Sequence, residues 1–290
     1  SGIAVVRAAG HRGDRAYSAV LGAACAALTL YAGTCLLWGV HFWTDSFQDQ
    51  SGITAQPVAQ EDLLAVTQYF ADKTAEAADD VSRDAEGLFD VPREDILSAS
   101  TTVYDALEQE FPFLEFDDPG VKAMAFSRLM SIMDFTGVYC AWTGESNVNV
   151  DSPACLLPAT VAHELAHQRG IASEQECNFL GVLASTTSGN PAYVYAGWLS
   201  GYIYLGNALY RVDPESYWAI RDAMPDTVKA DLAYNNAYWA QFQDSVVQTV
   251  SNQVYDGLLK AYGDERGIQS YGTVVDLLVA YYRDLAQEKP

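Results

Sequence analysis

From Ala16 to Trp43 the chain runs AYSAVLGAACAALTLYAGTCLLWGVHFW, 28 residues without Asp, Glu, Lys or Arg, and His41 is its only side chain that titrates near neutrality. As a helix rising about 1.5 Å per residue it would reach about 40 Å, enough for a hydrocarbon core of about 30 Å with some tilt. A buried core helix would be shorter. A signal peptide would have a shorter apolar run ending in a small-residue cleavage site. The segment therefore reads as a transmembrane helix over 16–43, with Trp38, Phe42 and Trp43 gathered at its C-terminal end as an interfacial aromatic belt.

Charge changes sign across this segment. Residues 1–15 carry Arg7, Arg12 and Arg15 against Asp14, a net +2, whereas residues 44–290 carry 37 acids and 13 bases, a net −24. The positive-inside rule places residues 1–15 in the cytoplasm and everything after Trp43 outside. The overall charge of −22 would repel phosphate backbones, which are held by Lys and Arg, and so argues against nucleic acid as a partner. With 50% hydrophobic and 19% charged positions, the chain has apolar material for a core, which excludes collagen, coiled coil and wholesale disorder. It begins Ser-Gly without Met, so it reads as a fragment or processed chain that an earlier transmembrane segment could precede.

Cys25 and Cys35 fall in the apolar segment as small packing residues. Cys140, Cys155 and Cys177 would lie outside; no CxxC pair exists, which excludes a thiolate zinc finger. Cys140 and Cys155 bracket a turn-rich stretch and could form a disulfide there, leaving the third cysteine unpaired.

Residues 44–59 lack periodicity and read as a linker leading away from the membrane. Residues 60–87, with Leu63, Val66, Phe70 and Ala77 on one face, read as an amphipathic helix. A helix at about 94–110 stops at Phe111-Pro112, because the residue before proline disfavours helix. Another is expected over 121–133. Between Thr136 and Val150 the pattern turns to β, with GVYCAW and SNVNV flanking Thr143-Gly144-Glu145. Helices resume over about 157–169, 174–187, 191–211, 214–222, 226–262 with a break, and 270–286. No repeat or interior linker divides residues 60–290, so they are expected as one largely helical domain of mainly α, α+β class.

The chemistry concentrates in Leu157 to Gly170, LPATVAHELAHQRG. Pro158 suits a first helical turn and Gly170 a helix stop. On that helix His163 and His167 stand at i and i+4, about 5–6 Å apart at Cβ, close enough to share one metal ion. Glu164 is positioned to reach a metal-bound water. This is the HExxH arrangement of zinc metallopeptidases. An exposed polar helix with accidental spacing fits poorly, because Val161, Ala162, Leu165 and Ala166 make the other face apolar.

A catalytic zinc takes three protein ligands and leaves one position open. The remaining histidines, His11 and His41, belong to the cytoplasmic segment and the membrane surface, so the third ligand is expected to be a carboxylate. Glu174 and Glu176 follow at once in IASEQECNF. Ser173 to Glu176 reads S-x-x-E, a capping box that would give Glu176 a structural role. Glu174 shares a helix face with Asn178, which could hydrogen-bond a ligating histidine. Spacing favours Glu174, with Glu176 as the alternative.

At this point the chain resembles a family of bacterial membrane-anchored, zincin-like proteins catalogued as a domain of unknown function. The blocks that carry the resemblance run in order through most of the chain: Leu36-Leu37-Trp38-Gly39, Val103-Tyr104-Asp105, Phe111-Pro112-Phe113, Thr143 to Asn149, His163 to Gly170 with the following EQECNF, and Ser270-Tyr271-Gly272. The chain departs by Ser146 and Cys177 where Ala is expected, and by Ala141-Trp142 where Pro-Phe is expected; none of these is expected to touch the candidate ligands. The resemblance implies a zincin-like metallopeptidase domain over 60–290 behind transmembrane helices, and names no substrate. The pattern around Glu174 also looks like the third-ligand helix of membrane-associated gluzincin peptidases, which favours Glu174.

Two further segments carry expectations. Thr143 to Asn149 could be a strand edge that pairs with an extended substrate, or an ordered turn. Tyr271 could polarise a scissile carbonyl, although packing is the usual role of one tyrosine among 18. The resulting expectation is a membrane-anchored zinc metallopeptidase on the exterior face of the bacterial cytoplasmic membrane, acting on a peptide or protein. Zn2+ would be held by His163, His167 and Glu174, with Glu164 as general base. The rival is a non-catalytic zinc-containing exterior module that binds a cell-envelope partner.

Overall fold

The structure, a computed structural model, describes residues 2–243 and 271–288, with side chains from Arg15 onward except Tyr271. Helix α1 (Gly2–Leu37) contains most of the uncharged stretch. Its part Arg15–Leu37 is 23 residues long, unburied, and apolar enough to cross a membrane, a length and composition that signal sequences share. The helix stops at Leu37, short of the apolar run, because Gly39–Trp43 tighten into a 3₁₀ turn. The aromatic cluster expected as a lipid belt is thereby divided. Trp43 is 83% exposed, while Trp38 and Phe42 are half-buried against the rest of the chain.

The segment read as a linker, 44–59, carries a short helix near its start. Helix α2 (Phe47–Ser51) opens with a capping box, in which Ser46 Oγ accepts from the Asp49 amide and the Asp49 carboxylate accepts from the Ser46 amide. Phe47 is fully buried against Phe111, Phe113 and Phe179.

Helix α3 (Gln60–Ala77) buries the stripe Leu63, Val66, Phe70 and Ala77. It ends ten residues before the expected limit of 87, since Arg83 turns back to pair with the buried Asp231 at 3.0 Å. In place of one helix over 94–110 come α4 (Arg93–Ser98), a 3₁₀ turn at Ala99–Thr102, and α5 (Asp105–Glu110), which stops before Pro112. The region 121–133 opens as a two-residue strand, β1 (Lys122–Ala123), and only then forms α6 (Ser127–Ile132).

The core is made by α7 (Leu157–Gln168), α8 (Glu174–Thr187) and α9 (Pro191–Val212), which pack on one another. α3 lies along α9, where Gly201 leaves room for the Phe70 ring: a Cβ there would overlap it. α10 (Pro214–Ala223) and α11 (Asp226–Ala240) follow, and α12 (Tyr271–Gln287) lies against α3 and α8. The expected continuation of α11 toward 262 lies largely outside the described residues.

β2 (Gly137–Cys140) and β3 (Glu145–Val148) form the antiparallel hairpin read from sequence, with Gly137 opposite Val148 and Cys140 opposite Glu145. β1 pairs in parallel with the other side of β3, so the sheet order is β1-β3-β2 and β3 is central. β1 and β2 are the two edges of the sheet; Asn147 and Val148 are paired on both sides, whereas Glu145 and Ser146 pair with β2 alone. Together these elements make a mainly helical α+β fold with one small sheet. The Cys140–Cys155 disulfide that the sequence left open is absent, and both thiols are free. Cys140 sits at the hairpin end and Cys155 is buried in the 3₁₀ turn Ala154–Leu156 that leads into α7.

Candidate metal centre

Pro158 stands in the first turn of α7, and Gly170, two residues past the helix end, has a φ of +83°, a left-handed conformation that suits glycine. That reversal sends the chain straight into α8, whose first residue is Glu174. His163 and His167 lie one turn apart with ring centroids 4.9 Å apart. Glu174 Oε2 is 3.4 Å from His163 Nε2, and its Oε1 is 3.5 Å from His167 Nε2. The ligand atoms of the three residues all fall within 4.8 Å of one another. Two imidazoles and a carboxylate are a donor set that zinc accepts.

The backing of His167 selects which nitrogen faces the centre. Its Nδ1 is 2.9 Å from the Ile171 carbonyl, and with the proton placed there the Nε2 lone pair is directed toward Glu174. Cys177 Sγ lies 3.2 Å from the same Nδ1, so this departure from the family pattern does touch a candidate ligand, contrary to expectation. Asn178 does not back a histidine; its Oδ1 accepts the Tyr204 hydroxyl at 2.9 Å. Burial disfavours charge on Glu174, yet His167 and His163 outweigh it and hold the carboxyl well below its ordinary range.

Glu164 is buried, and its Oε2 has no hydrogen-bond partner among the described residues. Burial pushes its carboxyl up, partly offset by the two imidazoles. Gly137 of β2 lies directly over it: a Cβ at this position would overlap the Glu164 carboxylate. β3 is tied to the same residue, since Ser146 Oγ donates to the Glu164 carbonyl at 2.9 Å.

Glu176 points elsewhere. Its Oε2 accepts the Phe47 amide at 3.0 Å, and its Oε1 accepts the Gln48 amide at 3.2 Å and Gln48 Nε2 at 3.1 Å. The capping box expected at Ser173 does not form, as Ser173 makes no side-chain cap. Glu176 instead caps the first amides of α2. A carboxylate at a helix N-terminus satisfies orphan donors wherever that helix comes from.

The far end of α7 is held by Arg169. Its guanidinium donates to Asp118 and Glu108, each at 2.7 Å, and lies 3.8 Å from the centroid of the Tyr104 ring. The Tyr104 hydroxyl in turn donates to the Ala162 carbonyl at 2.8 Å.

A cavity of about 1030 Å³ opens beside the centre, and His163, Glu164, His167 and Glu174 all line it. Its wall includes Thr136 to Tyr139 along the free edge of β2, the methionines Met124, Met130 and Met133, and Trp38. Trp38 is the residue that sequence reasoning misplaced. It stands 5.4 Å from His167 and 5.2 Å from Tyr139, centroid to centroid, rather than facing lipid. Tyr271 begins α12, and its side chain lies outside the described residues.

No curated protein and no solved structure matches this chain significantly. The family model described as "Protein of unknown function (DUF3810)" matches residues 3–279, and the chain belongs to that family.

Proposed function

We propose that this chain is a membrane-anchored, zincin-like zinc metallopeptidase that hydrolyses peptide bonds on the exterior face of a bacterial cytoplasmic membrane. His163, His167 and Glu174 are its metal ligands and Glu164 its general base. The observation that carries the reading is the convergence of three ligand atoms within 4.8 Å of one another at the wall of a cavity that Glu164 also lines.

Zinc, when bound, supplies the Lewis acidity that brings water toward ionisation near neutrality. Glu164 Oε2, which has no hydrogen-bond partner among the described residues, takes the proton of the attacking water and returns it to the leaving amine. Burial raises its proton affinity, which suits it to keep that proton between the two steps. Ile171 and Cys177 hold the His167 ring in place. The unpaired backbone edge of β2 gives an extended peptide a strand to pair with.

The segment Arg15–Leu37 is the anchor, and the step from +2 to −24 across the apolar run sets the domain outside. The non-catalytic alternative needs a fourth protein ligand. Among the described residues the cluster holds three, and the nearest thiol, Cys177, lies on the Nδ1 side of His167.

The test is Glu164→Gln in the full chain. Gln is nearly isosteric but does not accept a proton at neutral pH, so zinc content and melting temperature should match wild type while peptide cleavage falls by roughly 10²–10⁴-fold. Equal cleavage of a peptide library by both proteins would place the activity elsewhere.

A further inference from the structure

One side of the cavity's rim is apolar where it meets solvent, while Asp134, Thr136, Asn207 and Arg211 are its exposed polar lining residues. Phe126, Leu129 and Val138 line the cavity and are 69%, 52% and 41% exposed. Trp142, in the turn of the same hairpin as Val138, is 49% exposed. Single exposed apolar side chains are ordinary, but a set gathered at one opening marks a contact surface.

The position of Trp142 on α1 says what that surface meets. Its indole packs on Gly33, where a Cβ would overlap the ring, and its Nε1 donates to Thr34 Oγ1 at 3.1 Å. Both partners lie at the end of the apolar segment Arg15–Leu37, which is 23 residues long. At about 1.5 Å per residue such a segment spans about 35 Å, some 5 Å more than a hydrocarbon core of about 30 Å. With the excess at the end that carries Trp38, Phe42 and Trp43, its last turn falls at the level of the lipid headgroups, the depth that tryptophan prefers. The hairpin tip shares that depth. Trp38, which directly follows α1, reaches from there into the cavity and onto His167.

We infer that Phe126, Leu129, Val138 and Trp142 form a second membrane contact, and that the cavity draws its substrate from the bilayer: an apolar peptide segment partitioned into lipid, rather than a soluble charged peptide. The substrate class rests on the anchored-peptidase reading. Met124, Met130 and Met133 give the cavity a flexible apolar wall that adapts to varied apolar chains. Residues 44–290, at −24, are repelled by anionic headgroups, so the surface engaged is a neutral one.

The membrane contact is tested with the full chain in phosphatidylcholine vesicles that contain a phospholipid bearing a diazirine in its acyl chain. After photolysis, lipid labels should map to 126–129 and 138–142 as well as to 15–43. Labels confined to 15–43 would overturn the contact. A Leu129→Glu, Val138→Lys double variant should keep its melting temperature and its labels on 15–43 while losing most of those on the rim.

The substrate class is tested by the binding of alkyl hydroxamates of two to eight carbons to the zinc-loaded chain. Affinity should rise about fourfold per added methylene as each is buried. An affinity independent of chain length would overturn an apolar substrate. A chain that takes up no zinc and binds no hydroxamate overturns the peptidase reading, whereas the lipid labels need no metal and still decide the membrane contact.

Discussion

The indole of Trp38 stands edge-on against the imidazole of His167, with 5.4 Å between centroids and 74° between planes. The residue directly after the apolar helix is thus a wall of the candidate metal centre. Removing an outer partner of a ligating histidine commonly weakens metal binding by about 10–100-fold. Trp38→Ala should therefore lower zinc affinity by at least about tenfold in a chelator competition, and Trp38→Phe should largely restore it. Unchanged affinity in Trp38→Ala would mean the indole only fills space.

Glu174 and Glu176 should separate cleanly. Glu174→Ala removes a candidate ligand and should abolish stoichiometric zinc in the purified chain. Glu176→Ala leaves two amides of α2 without their acceptor, at a cost of about 1–3 kcal/mol. It should keep the metal and lower the melting temperature, with faster hydrogen exchange at residues 46–51. Loss of zinc in Glu176→Ala alone would reverse the assignment.

Arg169 and Asp118 form a buried pair whose side chains are 1% and 4% exposed. Removing one partner strands the other charge, commonly a loss of about 3–5 kcal/mol. Arg169→Met should show this as a lower denaturant midpoint, and an Arg169→Met, Asp118→Leu, Glu108→Gln variant should recover much of it.

The free thiols should differ in reactivity. Hydrogen bonding from Thr143 lowers the Cys140 thiol below its ordinary value of 9.0, whereas burial raises Cys155 to about 12. Because the thiolate is the nucleophile, Cys140 should react with iodoacetamide as pH rises through the region below 9.0, and Cys155 should stay unmodified in the folded chain up to about pH 10. Protection of Cys140 that a reductant relieves would indicate a disulfide after all.

Membrane orientation is read from thiol labelling of intact cells in a Cys140→Ser background. An impermeant maleimide should modify Gln50→Cys and spare Gly10→Cys, as the charge step across 16–43 requires. Modification of Gly10→Cys alone would reverse the orientation.

The helices around the centre were legible because each carries local punctuation. α7 opens near Pro158 and stops two residues before Gly170, α8 starts one residue after Ser173, and α9 starts at Pro191. The i, i+4 spacing of His163 and His167 needs only that helix to bring the rings together. What escaped was long-range. Glu176 finds its partner 129 residues away in Phe47, and no local pattern distinguishes that from the S-x-x-E box it resembles. Strand β1 has two residues, too few to show a period, yet it covers Asn147 and Val148 and makes β3 the central strand. Trp38 looks like a belt residue in sequence, since the belt template fits any aromatic at the end of an apolar run.

The bare Cα of Gly137 also makes alignment of the hairpin a condition for burying Glu164. Gly137 is flanked by Thr136, just before β2, and Val138, on it, and both carry a branched Cβ. A slip of one residue along β3 would bring one of these side chains into the volume that the Glu164 carboxylate fills. Only one pairing of the two strands tolerates the buried acid, so a misaligned hairpin would expel Glu164 rather than yield a slightly altered pocket. Pairing of the sheet and burial of Glu164 are in this sense a single event.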